Sequence, residues 1–174
     1  MKTAGAVPGS RAAFVAATAV SGAAALLLSG CGFHLEGSYP LPRSLAVVHI
    51  DAVDTQSDFY FGLRKDLLAA GTHIDQSAQD KSVAVIHVLG DNIKDAILSV
   101  STKNIPIEYE LTYTVRFSVD AMGKQLIAPE ERTQVRDYYY SESEQLAKQR
   151  EQAVLTDAMA QELAAVVMRR LSSL

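Results

Sequence analysis

A strict alternation of apolar and polar residues from Ile105 to Val119 constrains the fold more than any other feature of this sequence. Each odd position in the stretch is a large apolar residue, whereas the even positions are polar except for Pro106. Because successive side chains of a β-strand point to opposite faces, the odd side chains share one face. The pattern therefore predicts a long strand in an antiparallel sheet that has one buried and one wetted face.

Other apolar stretches of the chain are also predicted as strands. These are Leu45–Val53, Ser82–Leu89 with a less clear continuation over Ile93–Val100, and Gln125–Tyr140. A hairpin tip is expected at Ser99–Asn104 and a turn at Met122–Lys124, because both break the apolar pattern with polar or glycine residues. Pro129 lacks a backbone N–H and is expected at a sheet edge or a bulge.

Two segments carry apolar residues at helical spacing. The first is capped by Ser57 or Asp58 and stopped by Gly71. The second begins with Ser141 and Glu144 at capping-box spacing. Its apolar stripe consists of Leu155, Met159, Leu163, Val167 and Leu171. The predicted fold is an α+β two-layer sandwich of order β-α-β-β-β-α, with a four-stranded, mostly antiparallel or mixed sheet and both helices on one face.

Residues 1–30 have the composition of a signal peptide. They contain Lys2 and Arg11, no acidic residue, and an uncharged run of 17 residues from Ala12 to Leu28. A membrane-spanning helix fits less well, because a span needs ~20 strongly apolar residues and this run is rich in alanine. We expect a domain over residues 45–174, joined to the signal peptide by a tether over residues 31–44.

The segment Leu28-Ser29-Gly30-Cys31 resembles a bacterial lipobox, which predicts that Cys31 is lipidated and becomes the first mature residue. The alternative is a buried structural cysteine. Acyl chains such as palmitate each add ~0.8 kcal/mol of membrane affinity per buried CH₂ group, so they would hold the domain at a bilayer. Gly32 follows the cysteine in place of the aspartate that retains lipoproteins in the inner membrane, and the expected destination is the outer membrane.

Charge and motif content narrow the range of functions. Residues 31–174 carry 14 basic and 20 acidic side chains, a formal charge of −6, which argues against a nucleic-acid binder. No G-x-S-x-G nucleophile elbow and no glycine-rich phosphate loop occurs. The four histidines are too widely spaced for a local metal motif, namely His34, His49, His73 and His87. We therefore expect no enzymatic activity, no cofactor and no metal site.

The residues that follow the lipobox carry a family resemblance. Cys31-Gly32-Phe33-His34-Leu35, then Gly37 and Leu41-Pro42, resemble the opening of the lipopolysaccharide-assembly lipoproteins called LptE. Later matches follow in the family's order: Lys94-Asp95, Glu108-Tyr109, Arg136-Asp137-Tyr138-Tyr139 and Leu146-Ala147-Lys148. Glu36 departs from the basic residue that many members have at this place. The resemblance covers nearly all of the chain after Cys31.

This resemblance implies a two-layer domain that plugs the lumen of the outer-membrane barrel LptD, helps the barrel assemble, and assists delivery of lipopolysaccharide to the outer leaflet. Carried over by position, the lipopolysaccharide-binding candidates are Lys103 and Lys148, with Lys94 and Arg136 as neighbours. The alternative is that these side chains are only solvated surface charges. The Tyr138–Tyr140 triplet could likewise alternate between core and surface, or anchor against the barrel wall.

Two rival functions remain open. The first is a lipoprotein accessory that binds only protein in another envelope-assembly or lipid-transport complex, and direct binding of lipopolysaccharide distinguishes it from the LptE-like function. The second is a lipid-tethered periplasmic hydrolase, for which the sequence offers no nucleophile or metal motif.

Overall fold

The structure is a computed structural model that describes residues 39–78, 80, 82–139 and 145–174, with the backbone alone for residues 145–148. A short 3₁₀ turn at Arg43–Leu45 leads into the first strand. The elements then follow in the order β1 Val47–Ala52, α1 Asp58–Ala69, β2 His73–Ile74, β3 Ala84–Val100, β4 Pro106–Ala121, β5 Lys124–Tyr139 and α2 Gln145–Ser172. The class is the predicted α+β.

The strands form one mixed sheet of order β2-β1-β3-β4-β5. β1 pairs in parallel with both β2 and β3, whereas β3, β4 and β5 are antiparallel neighbours. The prediction of four strands missed β2. This strand has only two residues, too few for any periodic signal, and it is defined by backbone bonds from His73 N to Ala46 O and from Asp75 N to Val48 O, both 2.9 Å.

The alternation that predicts β4 is confirmed over the central part of the strand. Leu111, Tyr113, Val115, Phe117 and Val119 are each at most 1% exposed. They belong to one hydrophobic core with α1, α2 and the first half of β3, so both helices cover the same face of the sheet. The opposite face of the sheet has no helix on it in the described part of the chain, and we call it the open face.

β3 is a single strand of 17 residues rather than a strand with an uncertain continuation. A register shift between Val88 and Gly90 leaves Leu89 as a bulge, and this shift breaks the sequence periodicity. β5 has a comparable irregularity, because Phe117 pairs with Glu130 and Val119 with Ile127. Pro129 lies in that irregular stretch of an edge strand, as predicted.

The ends of α1 are those that the sequence predicts. The Ser57 side chain accepts a hydrogen bond from Tyr60 N at 3.1 Å, which settles the N-cap in favour of Ser57 over Asp58. At the other end Gly71 adopts a left-handed conformation with φ of +85°, which glycine tolerates without strain. The predicted capping box of α2, Ser141 with Glu144, lies outside the described residues.

The two helices approach each other closely where α1 has a glycine. A Cβ atom added at Gly62 would lie 3.4 Å from Ala164 Cβ and 3.8 Å from Ala160 O. Small residues on both helices therefore permit this contact. In the described part of the chain, neither helix has the length and hydropathy of a membrane span.

Candidate functional site

The tip of the long β3–β4 hairpin is a turn that is held by hydrogen bonds of Ser101. Ser101 Oγ accepts hydrogen bonds from Lys103 N at 3.3 Å and Ile105 N at 3.2 Å. Ser101 N donates to Ile105 O at 2.7 Å, and Asn104 adopts a left-handed φ of 61°, which asparagine tolerates better than most residues. This turn fixes the backbone at Lys103, whose side chain is exposed.

Exposed aliphatic side chains lie on both strands of the hairpin that ends in the turn at Lys103. The exposed fractions are 57% for Ile97, 46% for Leu98, 48% for Val100 and 39% for Ile107. We call residues 97–107 the outer hairpin. Clustered apolar side chains of this size in water indicate an interaction surface rather than a core. A cation at the tip of a hairpin that also exposes aliphatic side chains suits an amphiphilic ligand that carries both an anionic group and hydrocarbon.

The other candidate cations occupy different surroundings. Lys94 is exposed on the open face, opposite Thr112. Arg136 lies on the helix side of β5, and its Nη2 atom contacts both carboxylate oxygens of Glu162 on α2, at 2.8 and 2.6 Å. Its guanidinium is thus already engaged by an anion, whereas no ion pair of Lys94 occurs among the residues that the structure describes. Lys148 lies in the first turn of α2, but its side chain lies outside what the structure describes, as does all of Cys31.

The tyrosines at the end of β5 divide between the two faces. Tyr138 is 3% exposed, stacks on Tyr109 with ring centroids 5.3 Å apart, and donates a hydrogen bond to Asp95. Burial first, and then this hydrogen bond, raise the pKa of Tyr138 well above its usual range. Tyr139 is 72% exposed, and a hydrogen bond to Glu108 raises the pKa of its phenol. Tyr140 lies outside the described residues.

A polar cluster on the open face centres on His87. Its Nδ1 atom lies 2.8 Å from Asp51 Oδ2 and its Nε2 atom 3.2 Å from Asp120 Oδ2, so it links β1, β3 and β4. Within the described ranges, no group of three or more histidine, cysteine, aspartate or glutamate side chains has metal-binding geometry. The cluster therefore has the features of a set of side-chain contacts that links neighbouring strands.

Comparison with known proteins identifies the family. The family profile described as "LptE: Lipopolysaccharide-assembly" matches residues 45–171, which run from the 3₁₀ turn to the last turn of α2. This chain belongs to the LptE family. The match includes the outer hairpin and confirms the family that the resemblance predicts, although the opening residues Cys31–Pro42 precede the matched range.

Individual relatives agree with the LptE assignment. The chain is 27% identical over 154 residues to a protein of Pectobacterium atrosepticum named LPS-assembly lipoprotein LptE, a match that covers 88% of this chain and 83% of the relative. The crystal structure of rare lipoprotein B from Shewanella oneidensis has a TM-score of 0.64 and 27% identity, covering 73% of this chain and 94% of that one.

The fold of this LptE-family chain recurs in a further lipoprotein. The solution structure of an uncharacterised lipoprotein B from Nitrosomonas europaea has a TM-score of 0.66 at 23% identity, covering 82% of this chain and 91% of that one. At this identity the likeness concerns the fold alone.

Sequence reasoning missed the apolar part of the outer hairpin in this LptE-family chain. The assignment of Ile97 and Val100 to a strand is confirmed, but their exposure was not predicted, and Ile107 was assigned to the buried odd face of β4 although it is exposed. The expectation for Ile107 was wrong because the β3–β4 hairpin extends past the core that α1 and α2 cover. The low polarity of residues 97–100 around a polar turn was the available signal.

Proposed function

We propose that this protein is an outer-membrane lipoprotein, anchored through acyl chains on Cys31, that binds lipopolysaccharide with its outer hairpin and sits within the lumen of the LptD barrel. In that position it assists barrel assembly and lipopolysaccharide delivery, and it catalyses no reaction. Membership of the LptE family, whose profile carries the description lipopolysaccharide-assembly, supports this function.

The observation that carries the ligand assignment is an exposed Lys103 at the tip of a hairpin that also exposes four aliphatic side chains. Lipopolysaccharide presents phosphates and acyl chains together. A lysine ammonium can pair with a phosphate, while neighbouring aliphatic side chains gain free energy when hydrocarbon covers them. The formal charge of −6 for residues 31–174 does not prevent this, because local basicity governs binding at one place.

The open face of the sheet supports the proposed place inside a barrel. The lumen of an outer-membrane barrel is polar, so a plug should present polar side chains to it. On β4 the open face carries Glu110, Thr112, Thr114 and Arg116, which are half-buried or exposed. This face can therefore lie against the polar inner wall of a barrel. The main free-energy cost would be the desolvation of its charged side chains.

Charge reversal at the two proposed lysines tests the ligand. We expect the Lys103→Glu, Lys148→Glu double variant to keep its circular dichroism spectrum and bind purified lipopolysaccharide at least about tenfold more weakly, because two attractive contacts become repulsive. Lys124→Glu is the matched control, because Lys124 is exposed at the start of β5, at the end of the β3–β4 hairpin that is far from its tip. Unchanged binding by the folded double variant would refute the assignment of Lys103 and Lys148.

Co-purification tests the partner. The tagged, lipidated protein is extracted from its own membrane in mild detergent, and the proteins recovered with it are identified by mass spectrometry. One large β-barrel protein in equal amount supports the plug function. Recovery of inner-membrane transporter or other assembly proteins instead would contradict it and favour a protein-binding accessory. Mass spectrometry of the N-terminal peptide and membrane fractionation test lipidation at Cys31 and the outer-membrane location.

A further inference from the structure

Half of β3 has a neighbouring strand on one side only. β1 pairs with Ala84–Val88, and its last contact is a bond from Val53 N to Val88 O at 3.4 Å. From Gly90 to Ile97, β3 stays in regular register with β4 on its other side. In the described part of the chain, no strand pairs with Gly90–Ile97 on the side of β1. These eight residues leave an extended edge of roughly 26 Å whose backbone groups are open to pairing.

The side chains along this edge alternate in a regular way. On the helix side of the sheet they read Asp91, Ile93, Asp95 and Ile97, because these residues lie opposite the odd positions of β4. Ile93 is 40% exposed and Ile97 57% exposed. The edge therefore offers acidic and aliphatic side chains in turn, at the two-residue period of a strand.

The exposure of these isoleucines follows from where α1 begins. The Tyr113 hydroxyl interacts with the Asp91 carboxylate and with the backbone N–H of Phe59 in the first turn of α1. Asp91 thus lies beneath the start of that helix. Because α1 leads back over the first half of the sheet, it leaves Ile93 and Ile97 uncovered.

The carboxylate of Asp91 is only partly satisfied. Its Oδ2 atom is buried and has no hydrogen-bond partner among the described residues. A buried carboxylate oxygen without a donor costs free energy, and a cation that approaches the Asp91 carboxylate from the edge would lower that cost. Asp95 accepts a hydrogen bond from the neutral Tyr138 hydroxyl and has no ion pair within the described ranges.

We propose that the Gly90–Ile97 edge binds an extended segment of a partner protein, which adds to the sheet as a sixth strand. The segment carries lysine or arginine opposite Asp91 and Asp95 and aliphatic residues opposite Ile93 and Ile97. Main-chain hydrogen bonds supply affinity in such strand addition, and alternate side chains supply specificity. This interaction shares Ile97 with the outer hairpin, but it does not depend on the proposed binding of lipopolysaccharide.

Other occupants fit the edge less well. In a two-fold antiparallel pairing of two copies, a centre at Lys94 places lysine opposite lysine, and a centre at Asp95 places aspartate opposite aspartate, which is unfavourable. Acyl chains could cover Ile93 and Ile97 but cannot bond the backbone N–H and C=O groups. The other long edge, β5, is interrupted by the irregularity at Pro129, which discourages pairing.

A defined peptide tests the proposal on the full-length protein in mild detergent. The probe is a capped, fluorescently labelled peptide of nine residues. Every second residue is threonine, and the residues between the threonines are arginine and valine by turns. Two control peptides are the same sequence with alternate backbone amides N-methylated, and the same sequence with glutamate in place of arginine. Binding is measured by fluorescence anisotropy, and the contact is located by amide hydrogen exchange.

We expect the probe to bind and to slow hydrogen exchange within Gly90–Ile97. N-methylation should abolish binding because it removes the backbone donors, and glutamate should weaken it on the order of tenfold. Asp91→Asn should weaken binding of the probe by a similar factor, whereas Asp137→Asn, an exposed position on β5, should leave it unchanged.

Several results would overturn the proposal. These are no binding, equal binding of the N-methylated peptide, or protection on β5 in place of β3. Self-association of the protein that protects Gly90–Ile97 while the probe fails to bind would instead assign the edge to a second copy. Loss of lipopolysaccharide binding in the Lys103→Glu, Lys148→Glu variant with peptide binding retained would leave this inference standing.

Discussion

Tyr138 donates a hydrogen bond from its hydroxyl to Asp95 Oδ2 over 3.1 Å, between two residues 43 positions apart in the chain. Tyr138 lies on β5 and Asp95 on β3, so the bond crosses the intervening strand β4. The Tyr109 ring on β4 stacks on the Tyr138 ring at an interplanar angle of 16°. The three side chains thus tie the three antiparallel strands together near the base of the outer hairpin.

Removal of this hydroxyl should destabilise the protein modestly. Tyr138→Phe keeps the ring stack but removes the donor to Asp95, and we expect a loss of about 1 kcal/mol in the free energy of unfolding. Urea denaturation of the two proteins measures this loss of stability. Tyr139→Phe is the control, because Tyr139 is 72% exposed and should change stability by less than about 0.5 kcal/mol. Equal effects of the two variants would contradict the bridging role of Tyr138.

Alkaline pH should reveal the raised pKa of Tyr138. Its pKa in the folded protein exceeds the ordinary value of 10.0, because of burial and then the bond to Asp95. Well below pH 10.0 the phenol is protonated in both states and stability is unaffected. As the pH rises further, the unfolded chain ionises first, so stability falls until the folded pKa is passed. We expect Tyr138→Phe to reduce this fall in urea midpoints measured between about pH 8 and about pH 11. A fall of the same size in the variant would contradict the assignment.

Two residues on the same face of β4 should respond differently to truncation. Leu111 is fully buried, and Leu111→Ala should cost roughly 2–5 kcal/mol because it leaves a cavity in the core. Ile107 is 39% exposed, and Ile107→Ala should cost less than about 1 kcal/mol. Urea denaturation of both variants tests how far the hydrophobic core extends along β4. A large loss for Ile107→Ala would show that it packs in the core.

The ion pair between Arg136 and Glu162 should contribute little to stability. Its side chains are 43% and 45% exposed, so water screens the attraction. A double-mutant cycle with Arg136→Gln and Glu162→Gln should give a coupling energy below about 1 kcal/mol. Raised salt should reduce that coupling further. A coupling that exceeds this limit and persists in salt would indicate a desolvated pair.

The helix contact at Gly62 should tolerate one methyl group but not a larger side chain. In Gly62→Ala the new Cβ meets Ala164 Cβ at 3.4 Å, and the gain in helix propensity offsets the crowding, so stability should stay within about 1 kcal/mol. Gly62→Leu forces the helices apart and should cost roughly 1–3 kcal/mol. Thermal unfolding compares the melting temperatures of the two variants. Equal melting temperatures for the leucine and alanine variants would contradict close packing.

The sequence by itself determined the elements that local rules govern. Period-two alternation located β4, and serine and glycine at defined positions located the ends of α1, because side-chain direction and backbone conformation depend on near neighbours. The order of the four long strands and two helices followed from these signals. The segment before Cys31 that resembles a lipobox and the later residues that resemble the family also lie in the sequence, independent of folding.

Tertiary structure alone decided which side chains the core reaches. The same alternation continues through Ile107 and Leu111, but the packed helices cover Leu111 and leave Ile107 exposed. Likewise the sequence cannot show that β1 stops pairing at Val88 and leaves Gly90–Ile97 with an open edge, or that Glu162 engages Arg136. Exposure, strand neighbours and ion pairs depend on the lengths and positions of elements distant in sequence, which local periodicity does not encode.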